Sequence, residues 1–301
     1  MTPAFELAPF APSRRGDYLR LLGDAWGDGA LRGEAFDWWF DGNPAGSLRS
    51  VALRNGEVVG VAGHSLCRFR VDGQERIGQF SVHAVTAPSA RGLGIFRALE
   101  ERHEEQGAEQ GSVCVLGFAS APTRPLFLGP LGWSQIDRRR VWARLLPIGR
   151  RGTRADRFDE RHATAYAAVA PRWRNHVVRS REYLDWRYAR SPREYRIVEA
   201  PEGAFAVVGY TRRRGLRLGL LMELVAGEEE VGTLVRAALA EARGCAALLA
   251  VPSPCLTSAR LARHGFVPTP HRLDFMGKGL AEQLDTRPEA WTVSLGDTDF
   301  F

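Results

Sequence analysis

Residues 80–99 read FSVHAVTAPSARGLGIFRAL, a run that passes from a strand through a glycine-containing turn into a helix. Pro88 ends the strand because proline has no amide hydrogen to pair, and Leu93, Phe96 and Leu99 recur at the spacing of one helical face. The first N–H groups of a helix have no partner within it, so this turn directs several donors outward. Such turns also occur as purely structural connections, but this one predicts a pyrophosphate site, with glycines leaving room for close approach.

The turn resembles the acyl-CoA-binding motif of the GNAT superfamily of N-acetyltransferases, in which a strand is followed by Arg/Gln-x-x-Gly-x-Gly/Ala and a helix. Arg91, Gly92 and Gly94 match this motif, whereas Phe96 stands where a small residue is usual. The resemblance implies that the pyrophosphate of acetyl-CoA, or of another acyl-CoA, lies against the backbone of this loop. The residues that it assigns to the donor here are Arg91, Gly92, Leu93, Gly94, Ile95 and Phe96.

The resemblance extends over residues 5–145. Residues 6–26 are similar to the first strand and helix of the superfamily, and residues 38–46 to the segment that enters its second strand. Residues 117–133 resemble the fifth strand and the helix after it. The fold that this implies is α/β (α+β), with a mixed central sheet flanked by helices.

Two pairs of segments indicate an internal duplication. Residues 36–44 read FDWWFDGNP and residues 184–192 read LDWRYARSP, so Asp, Trp, an aromatic residue and Pro recur at one constant offset. Later, a short apolar strand and a helix precede LGW at residues 131–133 and HGF at residues 264–266. We therefore predict two GNAT-like domains that share one topology.

The second copy resembles a degenerate version of the first. It lacks the Arg-x-x-Gly-x-Gly motif, and residues 228–230 place three glutamates where the loop would fall. Carboxylates suit a helix start but repel a pyrophosphate. We therefore predict a CoA-binding catalytic domain over residues 1–150 and a degenerate domain over residues 151–301 that contributes to the acceptor site. The polar, basic run of residues 150–157 marks the boundary.

The strand before the loop carries the candidate catalytic residues. Acyl transfer to an amine needs a neutral amine, a polarised carbonyl and a protonated leaving thiolate. His83 is suited to a general base, and strand alternation places it on one face with Val85 and Ser81, so that Ser81 would orient His83 or a water molecule. A hydrogen-bonded histidine without catalytic duty is the alternative. The resemblance implies that this strand opens beside its neighbour, and that backbone groups near Val85 and Ala87 bind the acyl carbonyl and the pantetheine arm.

Many members of the superfamily carry an asparagine and then a tyrosine on the helix after the fifth strand, and the tyrosine protonates the thiolate. Aligning residues 125–127 with that pattern puts Ser120 at the asparagine position and Arg124 at the tyrosine position. The tyrosine acid is therefore missing, and arginine does not replace it because its pKa is too high. We expect Arg124 to bind a phosphate or a substrate carboxylate instead.

Composition restricts the class of protein, its location and its partners. The chain has 301 residues, 45% hydrophobic and 25% charged, which is typical of a folded protein and favours two domains. No stretch resembles a membrane span or a signal peptide, so we expect a cytoplasmic protein. The four cysteines have no metal-ligand or redox spacing and are expected to be reduced and buried, with no metal site. The net charge of +6 favours an anionic partner, such as a phosphorylated cofactor or nucleic acid.

The leading hypothesis is a CoA-dependent N-acyltransferase that moves an acetyl or other short acyl group to the amine of a small molecule. The C-terminal tail is expected to be solvated or to lie between the domains; the alternative is that it reaches the active-site cleft, where Asp297 or Asp299 would hold a cationic amine. An alternative hypothesis keeps the fold but takes aminoacyl-tRNA as the donor and forms an amide bond. Its support is a run of basic residues: Arg138, Arg139, Arg140, Arg150, Arg151, Arg154 and Arg157. A third hypothesis, a catalytically inactive binding module, is disfavoured by the intact loop.

Overall fold

The computed structural model describes residues 4–298, and it describes Asp28 by its backbone only. Within this range the chain forms two compact units. Unit one comprises residues 4–68, 76–136 and 274–286, and unit two comprises residues 69–75, 137–273 and 287–298.

The strands are β1 (Glu6–Pro9), β2 (Ser47–Arg54), β3 (Glu57–Val71), β4 (Gln74–Thr86), β5 (Ser112–Ala119), β6 (Ser134–Leu145), β7 (Thr153–Ala155), β8 (His176–Val177), β9 (Tyr195–Glu199), β10 (Phe205–Arg213), β11 (Leu216–Val225), β12 (Ala247–Ala250) and β13 (Val267–Gly279). The α-helices are α1 (Arg15–Trp26), α2 (Glu34–Phe40), α3 (Ile95–Glu109), α4 (Arg124–Leu128), α5 (Glu160–Val169), α6 (Arg181–Leu184), α7 (Val231–Glu241) and α8 (Ser258–Arg263). A π-helical turn (Asp185–Ala189) continues α6, and short 3₁₀ turns span Pro12–Arg14, Gly27–Gly29, Pro88–Ala90, Ala170–Arg172, Pro288–Ala290 and Leu295–Asp297.

The sheet of unit one is mixed. Its strand order is β1-β2-β3-β4-β5, followed by residues 274–279 of β13. β4 and β5 are parallel, whereas β1 with β2, β2 with β3, and β5 with β13 are antiparallel. A connection between parallel strands needs a crossover, and α3 supplies it.

The sheet of unit two repeats this plan. Its strand order is β7-β9-β10-β11-β12, followed by residues 137–145 of β6. β11 and β12 are the parallel pair, α7 connects them, and the other adjacent pairs are antiparallel. The prediction of two domains that share one topology is therefore confirmed.

The bounds of the two units differ from a simple division at residue 150. Residues 137–150 belong to unit two, and residues 274–286 belong to unit one. The sixth strand of each sheet thus comes from the other half of the chain. The roles that we assigned to the two halves stay a prediction.

Helices cover both faces of the sheet of unit one. A side chain at Gly60 on β3 would collide with Ile95 and touch Leu99, so α3 packs closely on one face. A side chain at Gly63 would collide with the ring of Phe40 from α2, and it points to the opposite face because successive strand residues alternate. We call these two faces the α3 face and the α2 face.

The helix α4 also lies on the α3 face. Its Phe127 joins Val115 and Ala119 of β5 and Trp133 in one buried cluster. Phe96 of α3 packs against the same cluster. The loop that begins α3 therefore stands on the side of the sheet that α3 and α4 share.

Candidate active site

The loop between β4 and α3 presents a row of unpaired backbone donors. Within residues 4–298, the N–H groups of residues 92–97 have no protein acceptor, and the first bonded amide is that of Ala98, which donates to the carbonyl of Gly94 at 3.0 Å. Gly92 and Gly94 have φ angles of +83° and +80°, a left-handed backbone that glycine adopts without strain. The loop is exposed, so these donors and the positive end of the helix dipole face solvent. The chemistry of the loop fits a pyrophosphate.

Phe96, which departs from the motif, occupies the space between α3 and α4. Its ring meets that of Phe127 edge-on, with centroids 5.4 Å apart. Its backbone N–H remains among the unpaired donors of the loop. The bulky residue is therefore accommodated by packing, and it leaves the backbone of the loop open to a ligand.

The pairing of β4 with β5 ends before either strand ends, and we call the unpaired stretch beyond it the gap. Their pairing stops at Phe80 and Leu116, although β4 continues to Thr86 and β5 to Ala119. Beyond this point the edges of the two strands no longer pair with each other. The gap leads to the anion loop at the end of β4, as the resemblance implies for an acyl–pantetheine arm.

His83 has a left-handed backbone within β4, with φ +53°. This conformation is uncommon outside glycine and interrupts the alternation of side chains along the strand. The imidazole is 5% exposed, and its centroid lies 5.7 Å from that of Trp26, 5.4 Å from Trp39 and 6.0 Å from Phe40. Since Phe40 belongs to the α2 face, His83 lies on that face. Trp26 is 42% exposed and forms the outer wall of the imidazole site.

Ser81 lies on the opposite face. Its hydroxyl donates to Oε1 of Glu100 on α3 at 3.0 Å. Its Cβ lies 3.8 Å from the place that a Cβ would take at Gly117 on β5. The prediction that Ser81 shares a face with His83 is therefore wrong, because the left-handed backbone turns the imidazole to the α2 face. Ser81 is not placed to orient His83.

Glu100 belongs to a buried polar layer beneath α3 that the sequence analysis missed. Its Oε2 lies 3.0 Å from Nε2 of His64 on β3, and neither side chain is exposed. His103 lies 2.9 Å from the hydroxyl of Ser50, and its ring centroid is 4.7 Å from that of His64. Burial, and then nearby positive charge, holds the pKa of His103 well below its usual value, so this imidazole is neutral. The sequence signal was the spacing of Glu100, His103 and Glu104, which places polar residues on one helical face.

The end of β4 and the residue that follows it are the positions that we predicted to contact the donor through their backbone. The N–H of Ala87 donates to the carbonyl of Val59 at 2.8 Å, and its carbonyl accepts from Ala90 at 2.9 Å. The backbone N–H of Ala87 is thus engaged within the protein, and the contact of this part of β4 with the arm stays a prediction. Val85 lies in the part of β4 beyond the pairing with β5, and its contact with the donor stays a prediction.

The start of α4 holds the two residues predicted to replace the asparagine and the tyrosine. Nε of Arg124 donates to Oε1 of Gln135 at 3.0 Å and lies 3.7 Å from a carboxylate oxygen of Asp274. A phosphate would have to compete with these partners. The hydroxyl of Ser120 is exposed and lies 2.9 Å from that of Thr123. Binding of the donor by Arg124 and Ser120 stays a prediction.

Comparison with solved structures identifies the architecture. A GCN5-related N-acetyltransferase from Kribbella flavida is similar with a TM-score of 0.63 and 18% identity, over 92% of this chain and 71% of that chain. A second, from Anabaena variabilis, has a TM-score of 0.67 and 12% identity, over 92% of this chain and 73% of that chain. The chain has the GNAT fold. N-myristoyltransferase from Saccharomyces cerevisiae, solved with bound myristoyl-CoA, is similar with a TM-score of 0.68 and 12% identity, over 92% of this chain and 83% of that chain. No protein-family model and no curated protein matches the chain.

The GNAT fold of unit two has an ionic cluster on the strand that corresponds to β4. Glu223 of β11 is buried and accepts a hydrogen bond from the hydroxyl of Tyr188 at 2.9 Å. The guanidinium of Arg179 lies 3.1 Å from it. Burial raises the pKa of Glu223. The helix α7 starts at Val231, directly after the three glutamates. Three carboxylates therefore stand where unit one has its anion loop, and they repel an anionic ligand.

Two arginines of the basic run are engaged within unit two. Nε of Arg139 donates to Asp137 at 2.7 Å, and Nη1 donates to the carbonyl of Val293 at 3.3 Å. Arg154 donates from two nitrogens to the carboxylate of Glu241, at 2.9 and 2.6 Å. An RNA backbone would have to displace these contacts.

The hypothesis for the C-terminal tail is wrong for Asp297. Its side chain is 2% exposed and contacts Arg179 at 2.8 Å within unit two. It is therefore not available to an acceptor amine. Asp299 lies outside the described residues.

Three further observations concern residues 4–298. No group of three His, Cys, Asp or Glu side chains is arranged to hold a metal ion. The cysteines at positions 67, 114, 245 and 255 are free thiols and are buried. No helix in this range has the length and apolarity that a membrane crossing requires.

Proposed function

We propose that this protein is a CoA-dependent N-acyltransferase that moves an acetyl or other short acyl group from acyl-CoA to the amine of a small molecule. The observation that carries the proposal is the row of unpaired N–H groups at residues 92–97. This row follows the end of β4, beyond the point where β4 stops pairing with β5. A pyrophosphate neutralises such a helix start, and the gap suits an extended arm.

The two faces of the sheet divide the chemistry of the reaction. The donor enters over the anion loop, on the face that carries α3 and α4. His83 stands on the α2 face, inside an aromatic wall of which Trp26 is half-exposed. The acceptor amine approaches from that face, and His83 removes a proton from it as it attacks the carbonyl.

A CoA-type donor is favoured over aminoacyl-tRNA. N-myristoyltransferase, one of the similar structures, holds myristoyl-CoA. Arg139 and Arg154, which belong to the run that supported the tRNA alternative, are bound to carboxylates of the protein. The contribution of the second half of the chain to the acceptor site is part of the proposal.

Titration calorimetry with CoA and with acetyl-CoA tests the donor. We expect binding to the wild-type protein and loss of binding in Gly94→Glu, because the new side chain adds bulk and negative charge among the amides. Gly73→Glu is the matched control: it lies in an exposed turn at φ +81°, away from the loop, and we expect unchanged affinity.

Turnover is then measured as release of free thiol with a panel of primary amines, amino acids and amino sugars, with acetyl-CoA and longer acyl-CoA donors. Products are identified by mass spectrometry. Equal CoA affinity in wild type and Gly94→Glu would remove the donor assignment. Activity that requires RNA and is abolished by ribonuclease would establish the tRNA alternative in its place.

A further inference from the structure

Three segments of unit two meet at the end of its sheet where β12 begins. The first residue of β12, Ala247, pairs with Leu145 of β6. Just outside this pair, the N–H of Leu146 donates to the carbonyl of Ala246 at 3.1 Å, and the N–H of Ala246 donates to the carbonyl of Arg217 on β11 at 2.8 Å. We call this part of unit two the exposed end, and it comprises residues 145–148, 212–217 and 243–246.

Four large apolar side chains of the exposed end are open to solvent. Leu145 is 59% exposed, Leu146 74% and Ile148 69%. Leu216, the first residue of β11, is 57% exposed. Of the eight large apolar side chains that are exposed within residues 4–298, half therefore lie here. Single exposed leucines are ordinary on a protein surface, whereas a group of them marks a surface that contacts a partner.

Arginines accompany these apolar side chains. Arg213 pairs with Leu216 across the turn between β10 and β11. Arg217 lies 3.1 Å from Glu194, a carboxylate that also pairs with Arg196. Four further arginines of the exposed end have no carboxylate of residues 4–298 within 4 Å, and they are Arg212, Arg213, Arg214 and Arg243. The exposed end therefore combines exposed aliphatic side chains with uncompensated positive charge.

The turn between β10 and β11 holds an arginine in an unfavourable backbone. Arg214 has a φ angle of +51°, and Gly215 follows at +78°. The turn between β3 and β4 has the same form, with Asp72 at +48° and Gly73 at +81°. Aspartate and asparagine tolerate this left-handed conformation, whereas a longer side chain is uncommon there. Residues 71–74 read VDGQ and residues 213–216 read RRGL, so the second turn gives up local preference for charge and an exposed leucine.

The combination selects among the partners that a basic surface could take. A nucleic acid would engage the arginines but leave the leucines in water. A second copy of this chain, related by a two-fold axis, would set arginines against arginines. An anionic bilayer satisfies both features, because guanidinium groups bind lipid phosphates while aliphatic side chains enter the boundary between headgroups and acyl chains. Such contact needs no segment that crosses the membrane.

We propose that the exposed end of unit two binds the surface of an anionic phospholipid bilayer. Its arginines contact the lipid phosphates. Its four exposed aliphatic side chains, Leu145, Leu146, Ile148 and Leu216, enter the bilayer boundary. Attachment is reversible and requires both the charge and the apolar side chains. The inference does not depend on the donor or the acceptor of the proposed function.

The first test is flotation with vesicles. Wild type should float with vesicles of phosphatidylcholine and phosphatidylglycerol in equal amounts and stay in solution with phosphatidylcholine alone. Its binding should weaken as salt is raised, because salt screens the attraction.

Two variants separate charge from apolar contact. The triple variant Arg213→Val, Arg214→Asp, Leu216→Gln gives the turn the sequence of residues 71–74, which already forms this turn in the chain. It removes two positive charges and adds a negative one. At about 5-fold per charge, binding should fall about 10²-fold. The double variant Leu146→Ser, Ile148→Ser keeps every charge and should bind at least about 10-fold more weakly, because its side chains no longer leave water for the bilayer.

Exposed residues of unit one supply matched controls. Arg54→Glu changes the charge at an exposed strand end by as much as one reversal can, and Leu126→Ser removes an exposed leucine from α4. Both should float like wild type. Circular dichroism of every variant confirms that the fold is retained before binding is compared.

The contrary outcomes are equally definite. Wild type that does not float with anionic vesicles overturns the proposal, as do losses in the control variants equal to those at the exposed end. Unchanged flotation of Leu146→Ser, Ile148→Ser would reduce the contact to charge alone and overturn insertion. A gel shift with RNA that only the triple variant abolishes, without flotation of wild type, would assign the surface to nucleic acid. A dimer in sedimentation velocity that dissociates in the double variant would assign it to a second copy of this chain.

Discussion

Arg179 and Asp297 form an ion pair in the interior of unit two. One guanidinium nitrogen lies 2.8 and 2.9 Å from the two carboxylate oxygens, and both side chains are 2% exposed. The same nitrogen donates to the hydroxyl of Ser294 at 3.0 Å. The pair therefore fixes the segment around residues 294–298 within unit two by charge as well as by packing.

Removal of the carboxylate should destabilise unit two strongly. Asp297→Ala leaves Arg179 buried beside Glu223 alone, and breaking a buried ion pair in this way costs about 3 kcal/mol. The free energy of unfolding in urea, followed by tryptophan fluorescence, measures this. Asp24→Ala is the control, because Asp24 is 66% exposed and lies 3.8 Å from Arg20, a geometry worth less than about 1 kcal/mol. Similar small losses of unfolding free energy in the two variants would contradict a stabilising role for the buried pair of Arg179 and Asp297.

Acid should weaken the fold through His176. The side chain is 1% exposed and its Nε2 lies 2.9 Å from the hydroxyl of Tyr166. Burial first, and then the charges of Arg179 and Arg70, lower the pKa of His176 from 6.5 to about 3. Between these values the unfolded chain binds a proton that the native protein does not. Stability from this group is complete above pH 6.5 and is lost as the pH falls toward 3.

The free energy of unfolding is measured at about pH 7.5 and at about pH 5. Between these two pH values, wild type should lose roughly 2 kcal/mol more of it than His176→Gln. His103, which is also buried and neutral, contributes equally to both proteins and cancels. The exposed His271 provides the control, and His271→Gln should keep the pH dependence of wild type. A loss in His176→Gln as large as in wild type would assign the acid sensitivity elsewhere.

The duplicated plan was predictable from sequence, but the exchange of the sixth strands was not. The recurring segments and the glycine turn indicate two copies of one order of elements, and this order is present in both units. Each copy, however, offers a similar free edge beside its fifth strand. Hydrophobic pattern alone does not decide whether residues 274–279 join β5 or β12, because the two edges accept the same kind of strand.

The anion loop was predictable because its chemistry resides in the backbone and needs glycine at defined positions. The direction of His83 was not, because strand reasoning assumes strict alternation and a left-handed histidine interrupts it. Phe96 illustrates a related limit. The motif indicates that a large residue there is unusual, but only the packing against Phe127 shows where its ring is accommodated.

The backbone of Gly94 should make it intolerant of even a small side chain. A Cβ at Gly94 would meet no atom within 4 Å, so any cost in Gly94→Ala comes from the φ angle of +80°. We expect a loss of roughly 1–2 kcal/mol in the free energy of unfolding. Gly23→Ala, inside α1 and equally free of contacts, should instead gain up to about 1 kcal/mol, because alanine favours a helix. Opposite signs in chemical denaturation check the prediction, and a gain in both variants would show that the loop relaxes out of the left-handed region.

If His83 is the general base, turnover depends on its imidazole nitrogen and not merely on its bulk. His83→Asn is the informative change, because asparagine tolerates the left-handed backbone at φ +53° better than most residues and so preserves β4. We expect kcat for the acetylation of an amine to fall about 10²- to 10⁴-fold at neutral pH, with CoA affinity unchanged. A primary amine with a lower pKa is already neutral in solution and should be affected less. Added imidazole should restore part of the rate by entering the space beside Trp26, which is partly open to solvent.

Trp26→Phe serves as the control for the aromatic wall, since it keeps a ring against His83 without altering the base. Thiol release with both amines, measured for wild type and the two variants, distinguishes these roles. If His83→Asn retains the wild-type kcat with both amines, His83 is a buried strand histidine without catalytic duty. The attacking amine would then lose its proton to water.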